Sequence, residues 1–123
     1  MTKFTIDASL DASLNYTRDN ANAAHVCVGY PASRAAAISQ SIATEALTSA
    51  DFTLANGDSS GRKYTFGSQA AVPITIDGTA DHIAIISGTE VLDVTEFTAQ
   101  AFTSGGASTL TINSFDREIA DPS

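Results

Sequence analysis

The sequence contains few of the residues on which reactive centres and cationic interfaces depend. It has one cysteine, two histidines and no tryptophan. A single thiol cannot form an internal disulfide, so a disulfide-stapled scaffold is excluded. Lysine and arginine together number 6 against 14 acidic residues, which gives a formal net charge of -8. Because affinity for phosphate groups comes from clustered cations, this balance argues against a nucleic-acid binder and against docking on an anionic membrane.

Long apolar runs are also missing from the sequence. The longest, such as Ile83 to Ile86, are a handful of residues, whereas about 20 are needed to span a bilayer. The first residues, MTKFTIDASLD, have no apolar stretch of the kind found in secretory signals. These features predict a soluble protein made in a cytoplasm.

What is present is enough apolar material for a folded core. The chain has 123 residues, of which 43% are hydrophobic and 16% charged. This length suits one domain, so we expect residues 1–123 to form a single domain. Within it, residues 1–22 would be an N-terminal arm and helix, and residues 24–123 a mainly β domain with a variable segment at 32–47.

The N-terminal part predicts one helix and one short strand. A helix is expected at about Ala8 to Asn20, because Leu10 and Leu14 are four residues apart and Asp7 suits the N-cap. Its apolar face is narrow, so the helix should lie on a sheet or on a neighbouring subunit. The sequence HVCVG at 25–29 then reads as a strand.

The segment from Ala32 to Leu47 is ambiguous. Its alanines and the spacing of Ile38 and Ile42 favour a helix capped by Ser33. Its serine and threonine content instead favours an irregular arm or an edge strand. The sequence leaves both alternatives open.

From Asp51 onward the pattern is that of β structure. Short runs rich in β-branched and aromatic residues alternate with turn signals such as Asn56-Gly57-Asp58 and Asp77-Gly78. No helical crossovers separate these runs, which argues against a parallel α/β sheet. We expect an antiparallel β-sandwich or jelly-roll-like domain, with Ala80 to Ser87 as its central strand. The other strands are expected at 52–54, 62–67, 72–77, 90–97, 99–103, 109–112 and 115–119.

Residues that could carry chemistry are few. Asp77, Asp81 and His82 lie close in sequence, but two carboxylates and one imidazole match no metal-site template. His25 and Cys27 would share one face of a strand, yet no orienting group or oxyanion donor accompanies them. We expect no metal, no cofactor and no catalytic residues. The alternative is a metal hydrolase that uses both histidines with Asp77 and Asp81.

The carboxylates of Glu90, Asp93 and Glu96 invite comparison with a glycosidase pair. In a strand, however, Asp93 faces away from the other two, so a solvated strand face explains them better. Arg62 and Lys63 form the one adjacent basic pair of the sequence, and we expect them to pair with Asp58 or with a carboxylate of a partner protein.

Three stretches resemble small structural proteins from the head-gene region of tailed bacteriophages. They are LTSADFTLANGDSSGRKYTF, GTADHIAIISGTEVLDVTEF and TLTINSFDREIADP. The features that recur are D-F-T-L-A-x-G-D-x-S-G-R-K, then G-T-A-D-H-x-A-I, then F-D-x-E-I-x-D-P. These are sheet and turn patterns, and the resemblance implies no active site.

The resemblance implies a non-enzymatic virion protein, foremost a capsid decoration or cement protein on the surface of the assembled shell. Its partners would be the major capsid protein and further copies of itself in a homo-oligomer such as a trimer, with neither nucleic acid nor a membrane. The alternative is a tail or head–tail connector component, or a host-recognition module. The apolar residues that fit a compact sandwich least well are the contact candidates: Phe4, Ile6, Leu10, Tyr30, Pro31, Ile38 and Ile42.

Overall fold

The computed structural model of the chain describes residues 7–58, 60–105 and 108–119. The helices are α1, Asp7–Asn20, and α2, Arg34–Ser39, with a short 3₁₀ helix at Ser49–Asp51. The strands are β1 Ala23–Cys27, β2 Ser41–Ala46, β3 Phe52–Asn56, β4 Arg62–Phe66, β5 Gln69–Pro73, β6 Gly78–Ile86, β7 Val91–Phe102, β8 Thr109–Ile112 and β9 Phe115–Ile119. No helix in these ranges has the length and apolar character needed to cross a bilayer.

The strands form three antiparallel sheets. A four-stranded sheet has the order β2-β1-β6-β7, a three-stranded sheet the order β3-β4-β9, and β5 pairs with β8. The expected fold class is confirmed: the chain is mainly β and antiparallel, with an N-terminal helix and a β-sandwich-like arrangement. The expected central strand is also confirmed, because β6 lies between β1 and β7.

The main core fills the space between the inner face of the four-stranded sheet and the other two sheets. Val26 and Ile85 enter it from the four-stranded sheet, and Tyr64 and Phe66 enter it from β4. Leu14 enters from α1, which contacts β3 and β4. The narrow apolar face of this helix therefore serves the chain's own core.

The ambiguous segment contains both predicted alternatives, one after the other. Ser33 caps α2, since its hydroxyl accepts a hydrogen bond from the Ala36 amide at 3.1 Å. The chain then becomes β2, an edge strand. Between α2 and the outer face of the four-stranded sheet lies a second, smaller core of Cys27, Ala37, Ala84 and Ile86.

The two edges of the four-stranded sheet differ. The β2 edge is covered by the chain that follows β5, through a bridge between Ala43 and Ile74 and a hydrogen bond of 2.8 Å from the Thr75 amide to the Ile42 carbonyl. The outer edge of β7 pairs with no other strand of the described residues. This long strand replaces the two strands expected at 90–97 and 99–103.

The basic pair lies at the start of β4, and its expected local pairing is confirmed. The Lys63 ammonium lies 2.8 Å from Asp58 and 3.1 Å from Asp116. Arg62 reaches Asp11 on α1 at 2.8 Å. These pairs tie the turn between β3 and β4 to β9 and to the helix.

Candidate functional site

Most of the large exposed apolar side chains of the described residues belong to two connections of the four-stranded sheet. Tyr30 is 65% exposed, Ile76 55%, Ile38 46% and Val28 42%. Val28, Tyr30 and Ile38 belong to the segment that joins β1 to β2 across the outer face of the four-stranded sheet. Ile76 belongs to the connection from β5 to β6. We call these four residues the connection surface, and we treat it as the candidate contact site because exposed apolar groups of this kind mark interaction sites.

Three predicted contact residues are not surface residues in this fold. Leu10 and Ile42 are 7% and 2% exposed, and the side chain of Pro31 is fully buried. The expectation that they are leftover apolar surface is therefore wrong. Leu10 lies on the face of α1 that packs inward, and Ile42 joins the main core from β2. Phe4 and Ile6 lie outside the described residues.

A hydrogen-bond network holds Tyr30 in place. The Asp81 carboxylate accepts from the Gly29 amide at 2.9 Å and lies 2.7 Å from His82 Nδ1. The ring of His82 meets the ring of Tyr30 edge-on, with centroids 5.8 Å apart. The bond from His82, followed by that from Gly29, lowers the pKa of Asp81. Asp81 and His82, considered and rejected as metal ligands from the sequence, thus position the loop that carries Tyr30.

A second set of bonds holds Val28. The Val28 amide donates to the Gln40 carbonyl at 3.0 Å, and the Gln40 side chain donates back to the Val28 carbonyl at 2.7 Å. The Val28 side chain lies close to Gly78, where an added Cβ would come within 3.1 Å of it. Val28 therefore lies beside the start of β6, close in sequence to Ile76.

The histidine and cysteine of β1 share a face, as expected, but have separate partners. His25 Nδ1 lies 2.9 Å from the Ser41 hydroxyl and 3.0 Å from that of Thr44. Cys27 is fully buried, and its thiol donates to the Ala37 carbonyl at 3.5 Å. Burial raises the pKa of Cys27 to about 11, so the thiol is protonated at neutral pH and packs against α2 as a small apolar group.

Asp77, the third residue considered for a metal site, has partners other than Asp81 and His82. The Asp77 carboxylate lies at the end of the β6–β7 pair, where it accepts from the Ser104 amide at 2.6 Å and from its hydroxyl at 2.7 Å. These bonds lower the pKa of Asp77. Within the described part of the chain, no three acidic, histidine or cysteine residues are grouped as metal ligands would be.

The three carboxylates around β7 also have different partners. Glu90 accepts from the Tyr16 hydroxyl at 2.7 Å. Asp93 accepts from the Tyr64 hydroxyl at 2.6 Å and from the Arg117 guanidinium at 2.8 Å. Glu96 lies on the other face of the sheet, 3.8 Å from His82 Nε2. The three carboxylates thus take part in separate contacts with α1, with β4 and β9, and with His82.

Clefts follow the outer edge of β7. An open groove of about 500 Å³ lies along Val91–Val94, between the Tyr30–Ala32 segment and Arg117. An apolar cleft of about 290 Å³ lies along the second half of the strand and is lined by Phe97, Phe102 and Phe115. The uncovered edge of β7 therefore has an open groove beside its first half and an apolar cleft beside its second half.

Sequence reasoning missed Val28, Ile76 and the β7 edge. Val28 lies within the strand predicted at 25–29, but β1 ends at Cys27 and Gly29 has a φ of +82°, outside the extended region. Ile76 precedes Asp77-Gly78, a turn signal that could have placed it in a connection. No sequence signal distinguishes an open edge from a covered one, because strand order is a tertiary property.

The buried histidine leads to a prediction on pH. Burial, followed by the charge of Arg34, lowers the pKa of His25 from its usual 6.5. The unfolded chain therefore binds this proton more readily than the folded chain. The stability that neutral His25 contributes is complete well above 6.5 and is lost as the pH falls from there through the folded pKa.

We expect the free energy of unfolding to fall between about pH 7.5 and pH 5.5, with a slope from this group of at most about 1.4 kcal/mol per pH unit. Urea denaturation of the wild type and of His25→Gln at both pH values measures it. The variant should show the smaller fall. Equal falls in the two proteins would contradict the assignment, whatever their absolute stabilities.

Comparison with known proteins identifies no relative of this chain. No family model matches it, and neither does any curated protein or solved structure.

Proposed function

We propose that the chain is a non-enzymatic structural protein of a tailed-phage virion, and specifically a decoration protein that binds the assembled shell of the major capsid protein. The resemblance of its turn and strand motifs to phage head-region proteins supports this function. The antiparallel β fold and the net charge of -8 are compatible with it, because net charge keeps a protein soluble at high copy number.

The observation that carries the proposal is the connection surface. The described part of the chain exposes few large apolar side chains, and all of them except Tyr16 belong to the two connections that form this surface. The Asp81 carboxylate accepts a hydrogen bond from the Gly29 amide, and the Gln40 side chain donates one to the Val28 carbonyl, so the backbone of the loop that presents Val28 and Tyr30 is fixed. A fixed surface loses little conformational entropy when it binds, which suits a protein that adheres to a regular lattice.

The proposed action is stabilisation by mass action. A protein that binds the assembled shell, and not its separated subunits, shifts the equilibrium towards the shell. Copies of the chain would gather around a local symmetry axis of the shell and contact one another there.

The test mixes the purified protein with undecorated, expanded shells of the same phage. Binding should saturate at a stoichiometry set by the symmetry of the shell. Absence of binding would refute the decoration role. Immunogold labelling of intact virions separates the alternatives, since label on the tail would indicate a tail or connector component.

A matched pair of tyrosine variants tests the connection surface. Tyr30→Ala should weaken shell binding about tenfold, as expected for an aromatic contact residue. Tyr16→Ala is the control, because Tyr16 is 53% exposed and lies on α1, outside this surface. Binding isotherms with the two variants measure the difference. If Tyr30→Ala and Tyr16→Ala bind shells with equal affinity, Tyr30 is not part of the contact with the shell.

A further inference from the structure

The open edge of β7 carries an inference beyond the connection surface. An edge strand presents unpaired backbone N–H and C=O groups, to which a further strand can add. Proteins usually protect such edges with lysine, proline or a covering segment. The β2 edge has a covering segment, whereas Thr98, Ala99, Gln100 and Ala101 of β7 are exposed and uncharged.

The pairing between β6 and β7 is itself interrupted at this place. His82 is opposite Glu96 and Ala80 is opposite Gln100. Three residues of β7 therefore face one residue of β6, so the ladder is locally broken, as in a bulge. Backbone groups in this stretch of β7 have fewer partners in β6 than those of a regular strand.

The two faces of the edge differ in chemistry. On the core side, Phe97 and Phe102 line the apolar cleft together with Phe115. On the outer side, the side chain of Glu96 is 77% exposed. Successive side chains of an added strand point to opposite faces. One of its residues would enter the apolar cleft, and the residue next to it would lie beside the Glu96 carboxylate.

We propose that the outer edge of β7 binds an extended segment of the shell protein, in which a large apolar residue is adjacent to a lysine or arginine. Charge complementarity favours this occupant over a second copy, because each copy of the chain carries a net charge of -8. The cleft of about 290 Å³ accepts an apolar side chain, and the backbone of the edge supplies the strand hydrogen bonds. The proposal rests on the proposed decoration function.

The experiment measures the binding of variants to undecorated, expanded shells of the same phage. A lysine on an edge disfavours strand addition, and here it would also repel the cation of the incoming segment. Thr98→Lys should therefore bind about tenfold more weakly than the wild type. Thr53→Lys is the control, because Thr53 is also an exposed threonine on an edge strand, but in the three-stranded sheet. Both variants change the net charge by the same amount.

A second pair keeps the test decisive if Thr98→Lys fails to fold. Glu96→Lys reverses the exposed charge at the edge, and Glu118→Lys makes the same change on β9. The first should weaken shell binding and the second should not. Amide hydrogen exchange across residues 95–102 should also slow when the protein is bound to shells.

The outcomes separate the two proposals. If the wild type does not bind shells, the decoration function fails. If the wild type binds and the edge variants bind as well as their controls, strand addition at β7 fails alone. If Thr98→Lys breaks an oligomer of the free protein while shell binding is unchanged, the edge is occupied by a second copy, and the proposal is overturned.

Discussion

Replacing Phe66 with alanine is expected to lower the free energy of unfolding by about 3 to 5 kcal/mol. Phe66 is fully buried in β4, the middle strand of the three-stranded sheet. Its ring lies 5.3 Å from that of Phe52 and 5.0 Å from that of Phe115, measured between centroids. The substitution removes both ring contacts and leaves a cavity that packed neighbours on either side cannot collapse to fill.

Urea denaturation followed by far-UV circular dichroism measures this loss, since the chain has no tryptophan. Phe115→Ala is the matched control, because Phe115 is half-buried and touches the same ring from the β9 side. Its loss should be smaller. If the two variants lose the same stability, the aromatic group around Phe66 is not the centre of the core.

Replacing Asp93 with alanine is expected to cost about 2 to 3 kcal/mol, more than is usual for a carboxylate on a strand. Its side chain is 12% exposed, and its carboxylate accepts hydrogen bonds from both Tyr64 and Arg117. Without it, the buried hydroxyl of Tyr64 loses its acceptor at 2.6 Å, and Arg117 loses its ion pair. Burial, together with the bond to Asp93, raises the pKa of Tyr64, so this hydroxyl stays a neutral donor.

A double-mutant cycle checks the reason for this cost. Tyr64→Phe removes the donor, so Asp93→Ala should cost less in that background than in the wild type. Asp116→Ala is the control, because the Asp116 carboxylate is exposed on β9 and surface pairs contribute about 1 kcal/mol or less. Additive losses for Tyr64 and Asp93 would show that their hydrogen bond is not what the alanine variant removes.

The local sequence signals predicted which helices and strands are present better than they predicted the residues at which these begin and end. The four-residue spacing of Leu10 and Leu14 predicted α1, and the most apolar stretch predicted β6, because both signals come from burial within one element. The strand expected at 72–77 is instead Gln69–Pro73. Ala71 has a φ of +58°, an irregularity between Gln69 and Val72 that depends on the pairing with β8 and has no local signal.

The candidate site was predicted less well, because apolar character alone does not separate surface from core. Tyr30 and Pro31 are adjacent in the sequence, yet one is exposed and the other buried. Ile38 and Ile42 show the same contrast, since the chain changes from α2 to β2 between them and the helical spacing no longer applies. Periodicity predicts which residues share a face only within one uninterrupted element.

The covered β2 edge has a consequence for how far association can proceed. A sheet with two open edges can grow by head-to-tail addition of further copies, because each added copy presents its own second edge to the next molecule. Here one edge is closed by the chain's own backbone at Ile74 and Thr75. Growth of this sheet from β7 of one copy to β2 of the next is therefore blocked, and within this sheet two copies can pair only through β7 to β7, an arrangement that closes on itself.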